Sequence, residues 1–280
     1  MSAQVLLQKE DSKVYCLQDS VPEIYCIDSQ KPYTKAIIII SPGLCTRELH
    51  LIEPFIGFQL AQLGYKVYSI NTLDLEKYDL NPNDPFHRIS LTQKAYKRIS
   101  SINPHQKFIS YGHSLGCIDL LRVKPENIEA CIYASPGFKG DKGKFSLLSF
   151  FKFFKAFLLG SNFELFSNVM KARPELNAYR NDSINAQFIW KLQEYAHGLE
   201  NTHLWPENVP LLTWLGSKHD SDGIMEMKQP RKWIKNISKI NHNCRIIEKM
   251  DSGHEPGWKN IEDSIELAND IDNWLEEHIL

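Results

Sequence analysis

The sequence has almost no net charge, no long apolar run and no clustered cysteines. Its 32 basic and 34 acidic residues leave a formal net charge of −2, so no broad basic field is available to hold a nucleic-acid backbone. No stretch of 18 apolar residues occurs, which predicts that no helix spans a membrane. The initial segment MSAQVLLQKEDSK has only a short apolar run before its first charges, which predicts no secretory leader.

The cysteines are scattered and include no CxxC pair, and no histidines cluster at the spacing of zinc ligands. The six are Cys16, Cys26, Cys45, Cys117, Cys131 and Cys244. We therefore expect free thiols in a reducing, cytoplasmic compartment, and no metal site.

A regular alternation of β-branched runs and helical segments is present instead. AIIIIS, residues 36–41, is a continuous apolar run that predicts a strand buried on both faces, as in a parallel sheet. Further strands are predicted at 66–70, 107–111, 128–135, 210–216 and 244–249, and helices at 51–63, 90–101, 115–123 and 261–278. This order predicts an α/β fold with a mostly parallel central sheet and helices on both faces.

One interval interrupts the alternation. About 70 residues, helix-like and rich in phenylalanine, separate the strand that ends near Ser135 from the strand that begins near Pro210. A connection of this length at the carboxyl edge of a parallel sheet predicts a helical cap. We predict a core domain of residues 1–136 and 207–280 and a cap of residues 137–206, whose phenylalanines and lysines leave open a transient contact with a membrane surface.

The strongest local motif is Gly112-His113-Ser114-Leu115-Gly116, directly after the strand KFISY and at the start of a short helix. A serine at such a sharp turn projects its hydroxyl above the sheet edge, and the flanking glycines remove Cβ atoms that would clash. The helix N-terminus favours an anion that develops there. We predict that Ser114 is a catalytic nucleophile.

A serine hydroxyl needs a histidine base, and the base needs an orienting carboxylate. Among ten histidines, His254 stands out because it follows the last strand by a short loop and precedes the final helix. The strand PLLTWLG is followed by two candidate acids, Asp220 and Asp222; we favour Asp220, which lies closer to the strand end. The chain order is then Ser114, Asp220, His254.

Acyl transfer also requires two backbone N–H donors for the oxyanion. One candidate is Leu115, directly after the nucleophile. The other is Leu44, which follows Gly43 in the loop SPGL after the AIIIIS strand.

These motifs together resemble the α/β-hydrolase superfamily, whose members use the order serine, acid, histidine. The elbow GHSLG, the acid loop WLGSKHDSDG and the histidine loop DSGHEP carry the resemblance, and RPELNAYRNDS, residues 173–183, is similar to the end of the cap in the monoacylglycerol lipase and lysophospholipase group. The chain departs from that group at Ser41-Pro42, where a histidine is usual before the glycine, and at Cys117, where a glycine is common. The resemblance implies hydrolysis of a small-molecule acyl ester without a cofactor.

Three activities share this machinery and stay open at this point. A lipase or esterase is the leading hypothesis, because the aromatic cap favours a lipid-like acyl group. A thioesterase, an amidase or a C–C bond hydrolase would need the same nucleophile, base and oxyanion donors. A binding protein without catalytic activity is disfavoured because all three triad positions are occupied. The sequence leaves the oligomeric state open.

Overall fold

The computed structural model describes residues 3–9, 12–17, 20–29, 35–43, 48–53, 55–72, 74–136, 147–164, 183–196, 206–216, 235–249, 256–257 and 260–280. Across these residues the chain forms one nine-stranded sheet, a separate two-stranded sheet and helices on both faces of the larger sheet.

The strands of the large sheet are numbered along the chain together with the small pair, β8 and β9. They are β1 (Ala3–Lys9), β2 (Ser12–Leu17), β3 (Ile24–Ser29), β4 (Ile37–Ser41), β5 (Lys66–Ile70), β6 (Phe108–His113), β7 (Ile128–Ala134), β8 (Asn162–Glu164), β9 (Ser183–Asn185), β10 (Leu211–Gly216) and β11 (Cys244–Lys249). The strands predicted at the five later positions are confirmed to within two residues at each end.

The order across the large sheet is β1-β2-β3-β5-β4-β6-β7-β10-β11. The six strands from β5 to β11 are parallel, whereas β1, β2 and β3 pair antiparallel at one side. The prediction of a mostly parallel sheet is therefore confirmed. Strands β4 and β6 lie at its centre, with neighbours on both sides.

The run of isoleucines in β4 explains why this strand shows no polar alternation. Ile38 and Ile40 belong to the core on one face of the sheet, and Ile37 and Ile39 belong to the core on the other face. Successive side chains of a strand point to opposite faces, so a strand covered on both sides is apolar at every position.

The α-helices whose two ends both lie in the described part of the chain are α1 (Ile56–Gln62), α2 (His87–Ile102), α3 (Leu115–Val123), α4 (Leu147–Leu159), α5 (Ala186–Ala196) and α6 (Ile261–His278). Helices α1 and α6 contribute to the core on one face, and α2 and α3 contribute to the core on the other. No helix in the part of the chain that the structure describes is long and apolar enough to cross a membrane.

The helix predicted over 51–63 is wrong in its first part. A short 3-10 helix covers Glu48–Leu51, and α1 begins only at Ile56. The sequence has a proline at position 54, and a residue before proline disfavours the α conformation. The Phe55 amide donates to the Ile52 carbonyl at 2.8 Å, which closes a turn between the two helical segments.

Strands β7 and β10 are hydrogen-bonded neighbours, with Ala134 opposite Trp214. The interval between them carries α4, the pair β8–β9 and α5. It leaves and rejoins the sheet at adjacent strands, as expected for an insertion. That residues 137–206 form a separate cap domain stays a prediction.

Candidate active site

Ser114 occupies the single residue between β6 and α3. Its backbone has φ 50° and ψ −115°, a region that a side-chain-bearing residue rarely enters and that costs on the order of 1–3 kcal/mol. Ser114 is partly exposed, while the residues before and after it are buried. The turn thus holds a serine in a strained conformation with its side chain accessible at the sheet edge.

Two glycines make this turn sterically feasible. A Cβ added to Gly116 would lie 1.9 Å from the Ser41 carbonyl oxygen, and one added to Gly112 would lie 2.8 Å from the Cα of Cys117. Neither distance is compatible with a side chain. The glycines therefore let α3 start directly against β4 and β6, and this close packing determines the position of Ser114.

The turn lies at the carboxyl edge of the central strands. Ser41 at the end of β4 is opposite Gly112, His113 is opposite Ala134 of β7, and the Ser114 amide donates to the Ala134 carbonyl at 3.0 Å. Ligands of open α/β sheets bind at this edge, beyond the carboxyl ends of the strands. The structure places the predicted nucleophile where such a site is expected.

The other predicted triad residues lie outside the described part of the chain. Asp220 and Asp222 follow β10, which ends at Gly216, and His254 follows β11, which ends at Lys249. Both strands run parallel to β6, so the two loops begin at the edge that carries Ser114. The roles of the aspartates and of His254 stay predictions.

The predicted oxyanion loop packs directly against the nucleophile. A Cβ added to Gly43 would lie 3.1 Å from the Cβ of Ser114 and 3.0 Å from Nδ1 of His113. Leu115 is buried and is the first residue of α3, where amide groups have no partner within the helix. Leu44 lies outside the described residues, so only its neighbour Gly43 is located.

A buried ion pair lies behind this loop. Arg88 of α2 and Asp119 of α3 are both completely buried. Arg88 Nη2 is 2.5 Å from Asp119 Oδ2, and Arg88 Nε is 3.1 Å from each carboxylate oxygen. The same guanidinium donates to the Pro42 carbonyl at 3.2 Å, and Ser41 Oγ donates to Asp119 Oδ2 at 3.3 Å. The ion pair thus binds both the Ser41 hydroxyl and the Pro42 carbonyl.

Helix α5 of the insertion reaches the same carboxylate. The Tyr195 hydroxyl donates to Asp119 Oδ1 at 2.5 Å. Arg122, one turn further along α3, donates to the Tyr195 carbonyl from Nε at 3.0 Å and from Nη2 at 2.6 Å. Burial, followed by the charge of Asp119, raises the pKa of Tyr195 well above its usual value, so the hydroxyl stays protonated and donates.

Two histidines pack together beside the elbow. The rings of His50 and His113 are edge to face, with centroids 5.4 Å apart, and both are buried. Burial, and then the neighbouring His113, lowers the pKa of His50 well below its ordinary value. His50 is therefore neutral at physiological pH and packs uncharged against the His113 ring.

Sequence reasoning missed Arg88, Asp119, Tyr195 and His50. Asp119 carried a signal, because it is the one acid in the otherwise apolar start of a helix that follows the predicted nucleophile. Its partners come from positions 31 and 76 residues away, and no local pattern identifies them. Among the described residues, no group of three histidine, cysteine or acidic side chains is arranged to hold a metal ion.

Comparison with known proteins identifies the fold. No family model matches the sequence, and no curated protein matches it either. Solved structures do match. The monoacylglycerol lipase of Paleococcus ferrophilus is 18% identical with a TM-score of 0.58, over 89% of this chain and 96% of its own. A lipase in its open form is 12% identical with a TM-score of 0.63, over 99% of both chains.

DcsB, solved in complex with its substrate analogue, is 16% identical with a TM-score of 0.66, over 99% of both chains. These likenesses extend over nearly the whole chain and confirm the predicted α/β-hydrolase fold.

Proposed function

We propose that this chain is a serine hydrolase that cleaves a carboxylic ester through an acyl-enzyme. Ser114 is the nucleophile, His254 the general base and Asp220 the acid that orients it, with Asp222 as the alternative. The backbone amides of Leu115 and Leu44 bind the oxyanion. The conformation of Ser114 carries this proposal, because a strained serine between a central strand and a helix N-terminus has the geometry of a nucleophile elbow.

The reaction follows from these positions. His254 takes the proton of the Ser114 hydroxyl as Oγ attacks the ester carbonyl, and the two amides stabilise the negative charge on the carbonyl oxygen. The tetrahedral intermediate collapses, the alcohol leaves with the proton from His254, and the acyl group stays on Ser114. Water, activated by His254, then releases the acid. No metal or cofactor enters this scheme.

A lipid-like ester, of the monoacylglycerol or lysophospholipid kind, is the substrate class we propose. Helix α4 of the insertion exposes Phe151, Phe154, Leu158 and Leu159, which are between 48% and 68% accessible. It also exposes Lys152 and Lys155 and has no acidic residue. Such a helix suits brief contact with an anionic lipid surface that supplies the substrate.

The names of the matching structures support the same reading, because they include a monoacylglycerol lipase, a lipase and a carboxyl esterase. We further place the chain in the cytoplasm. The free thiols of Cys26, Cys117 and Cys131, all buried, fit a reducing compartment.

Hydrolysis of p-nitrophenyl esters of increasing acyl length tests the proposal. We expect the wild type to turn over medium and long chains faster than acetate, and Ser114→Ala to lose about 10⁴-fold or more of kcat. Ser135→Ala is the matched control, since Ser135 also has positive φ and directly follows β7, the parallel strand adjacent to β6. Full activity of Ser114→Ala would refute the proposal, and a preference for acetate would refute the lipid-like substrate.

The same assay assigns the acid. Replacing the true acid by asparagine leaves the histidine in the wrong tautomer and should lower kcat by about 10⁴-fold. We expect this loss in Asp220→Asn and a change below tenfold in Asp222→Asn. The reverse pattern would transfer the role to Asp222.

A further inference from the structure

We propose that Asp119 is a positioning residue that couples helix α5 of the insertion to the oxyanion loop, so that acyl transfer depends on the docked position of α5. This inference rests on the proposed function, because it assigns the network a part in ester hydrolysis. None of Asp119, Arg88 and Tyr195 is proposed to touch the substrate. They hold the loop beside Ser114.

The Asp119 carboxylate is the point where four elements meet. It accepts hydrogen bonds from Arg88 of α2, from Ser41 at the end of β4 and from Tyr195 of α5, while its own helix, α3, begins directly after Ser114. Asp119, Arg88 and Tyr195 are all completely buried. A completely buried carboxylate that accepts hydrogen bonds from three sides is held in one orientation.

Arg88 transmits that orientation to the loop. Its Nη2 group donates both to Asp119 and to the Pro42 carbonyl. In a trans peptide the carbonyl and the following N–H point in opposite directions in one plane. Holding the Pro42 carbonyl toward Arg88 therefore turns the Gly43 amide away from Arg88. A Cβ added to Gly43 would lie 3.1 Å from the Ser114 Cβ, so Gly43 lies beside Ser114, and it directly precedes the proposed donor Leu44.

The insertion is attached to α3 at the same place. The Tyr195 hydroxyl binds Asp119, and its carbonyl accepts two hydrogen bonds from Arg122. The Arg122 guanidinium lies over the Tyr195 ring at 5.1 Å and over the Phe86 ring at 5.5 Å. If α5 moved off the core, Asp119 would lose one of its donors and Arg122 its acceptor. The position of α5 therefore affects Asp119, which is itself hydrogen-bonded to Ser41 at the start of the oxyanion loop.

Stability alone does not account for such a network. A buried ion pair is often no more stabilising than apolar side chains of the same volume, whereas the bidentate bonds between Arg88 and Asp119 fix the relative orientation of these two groups. The useful perturbation is therefore small: Tyr195→Phe keeps the ring and its contacts with Phe86 and Arg122, and removes only the hydrogen bond to Asp119. Arg88 and Asp119 themselves are poor test sites, because removing either one leaves an unpaired buried charge and the variant can fail to fold.

The experiment measures kcat and KM for a p-nitrophenyl ester together with the number of reactive serines, titrated with a fluorophosphonate. We expect Tyr195→Phe to lower kcat per titrated serine roughly tenfold, with KM within twofold of the wild type. Tyr96→Phe is the matched control. It removes a buried tyrosine hydroxyl that donates to Ser110 at 2.8 Å, outside the network, and should leave kcat per titrated serine within twofold.

A merely structural role would lower the number of titrated serines and leave kcat for each of them unchanged, and that result overturns the inference. A second test is the double variant Ser41→Ala with Tyr195→Phe. Because both hydroxyls bind the same carboxylate, the double loss should be clearly smaller than the product of the single losses. A product of independent effects also overturns the coupling. A wild type without esterase activity would refute the proposed function itself. That result differs from both outcomes above, in which the wild type is active and only the coupling fails.

Discussion

Helices α3 and α4 are opposite in how they distribute polar and apolar residues. Every residue of α3 from Leu115 to Leu121 is buried, including the charged Asp119. Helix α4 is made almost entirely of apolar residues, yet Phe151, Leu158 and Leu159 are 59%, 66% and 68% exposed. One helix hides a charge, and the other exposes its apolar surface to solvent.

The difference lies in whether the surrounding chain compensates the unusual side chains of each helix. Asp119 can be buried because donors from three other elements compensate its charge. The apolar side chains of Phe151, Phe154, Leu158 and Leu159 in α4 are exposed instead, and an exposed apolar patch of this kind is typical of a contact surface. In the function we propose, the region around α3 positions the reacting groups and α4 contacts a lipid surface.

The largest effect that separates the two regions should come from glycine substitutions. Gly116→Ala places a Cβ 1.9 Å from the Ser41 carbonyl oxygen, a clash that only a shift of α3 or β4 relieves. We expect a loss of about 4 kcal/mol or more in the free energy of unfolding, measured by urea denaturation, together with loss of esterase activity.

Gly160→Ala is the matched control at the end of α4. Gly160 has a positive φ of 60°, and its added Cβ would lie at an ordinary 3.5 Å from the Gln187 side chain. Only the backbone strain remains, and it should cost about 1 kcal/mol. Equal losses for the two variants would contradict the tight packing that we describe at the elbow.

An intermediate effect should appear in the pH dependence of stability. The pKa of His50 is lowered in the folded chain, so between the folded and unfolded pKa values only the unfolded chain takes up this proton. The contribution of His50 to the free energy of unfolding is fully present above the unfolded pKa, about 6.5, and is lost as the pH falls below that value. His50 should contribute up to about 1.4 kcal/mol per pH unit to that loss.

His50→Gln removes the titrating group and should flatten the decline in unfolding free energy between pH 7 and pH 5. His242→Gln, at an exposed histidine, serves as the control and should follow the wild type. An unchanged slope in His50→Gln would show that His50 is not buried as a neutral imidazole.

The smallest effect on stability, but a clear effect on binding, is expected in α4. Replacing Phe151, Phe154 and Leu158 together by serine removes exposed side chains and should change the unfolding free energy by less than about 1 kcal/mol. Binding to vesicles of phosphatidylcholine and phosphatidylglycerol should fall at least tenfold. Ile246→Ser, at an exposed position of β11, should leave vesicle binding unchanged.

The lysines of α4 give an independent check. Lys152→Gln and Lys155→Gln should each weaken binding to anionic vesicles by about 1 kcal/mol, or roughly fivefold. Vesicle binding that survives all of these changes would show that α4 is not the lipid contact.

The parallel core could be predicted because its signals are local. The isoleucines of β4 are required by burial of one strand on both faces, and the glycines around Ser114 by close packing at one turn. Each requirement is visible in a short stretch of sequence. The strained backbone of Ser114 follows from the same local motif. These features account for the agreement between the predicted and observed strands and for the position of Ser114.

The groups around the elbow could not be predicted because they depend on tertiary contacts. In the sequence, Arg88 is typical of a polar residue of an amphipathic helix, and Tyr195 is one of many aromatic residues of the insertion. Only folding brings them to Asp119. The break between Leu51 and Ile56 has a different cause: the apolar spacing of a helix continues across Pro54, but proline disfavours the helical conformation at the residue before it.

The central claim is that Ser114 forms the covalent bond to the acyl group. Its most direct test is mass spectrometry of the intact chain and of its peptides after reaction with a fluorophosphonate. We predict one adduct per chain, on the peptide that contains Ser114, and none in Ser114→Ala. An adduct on another residue, or an unmodified wild-type chain, would contradict the account.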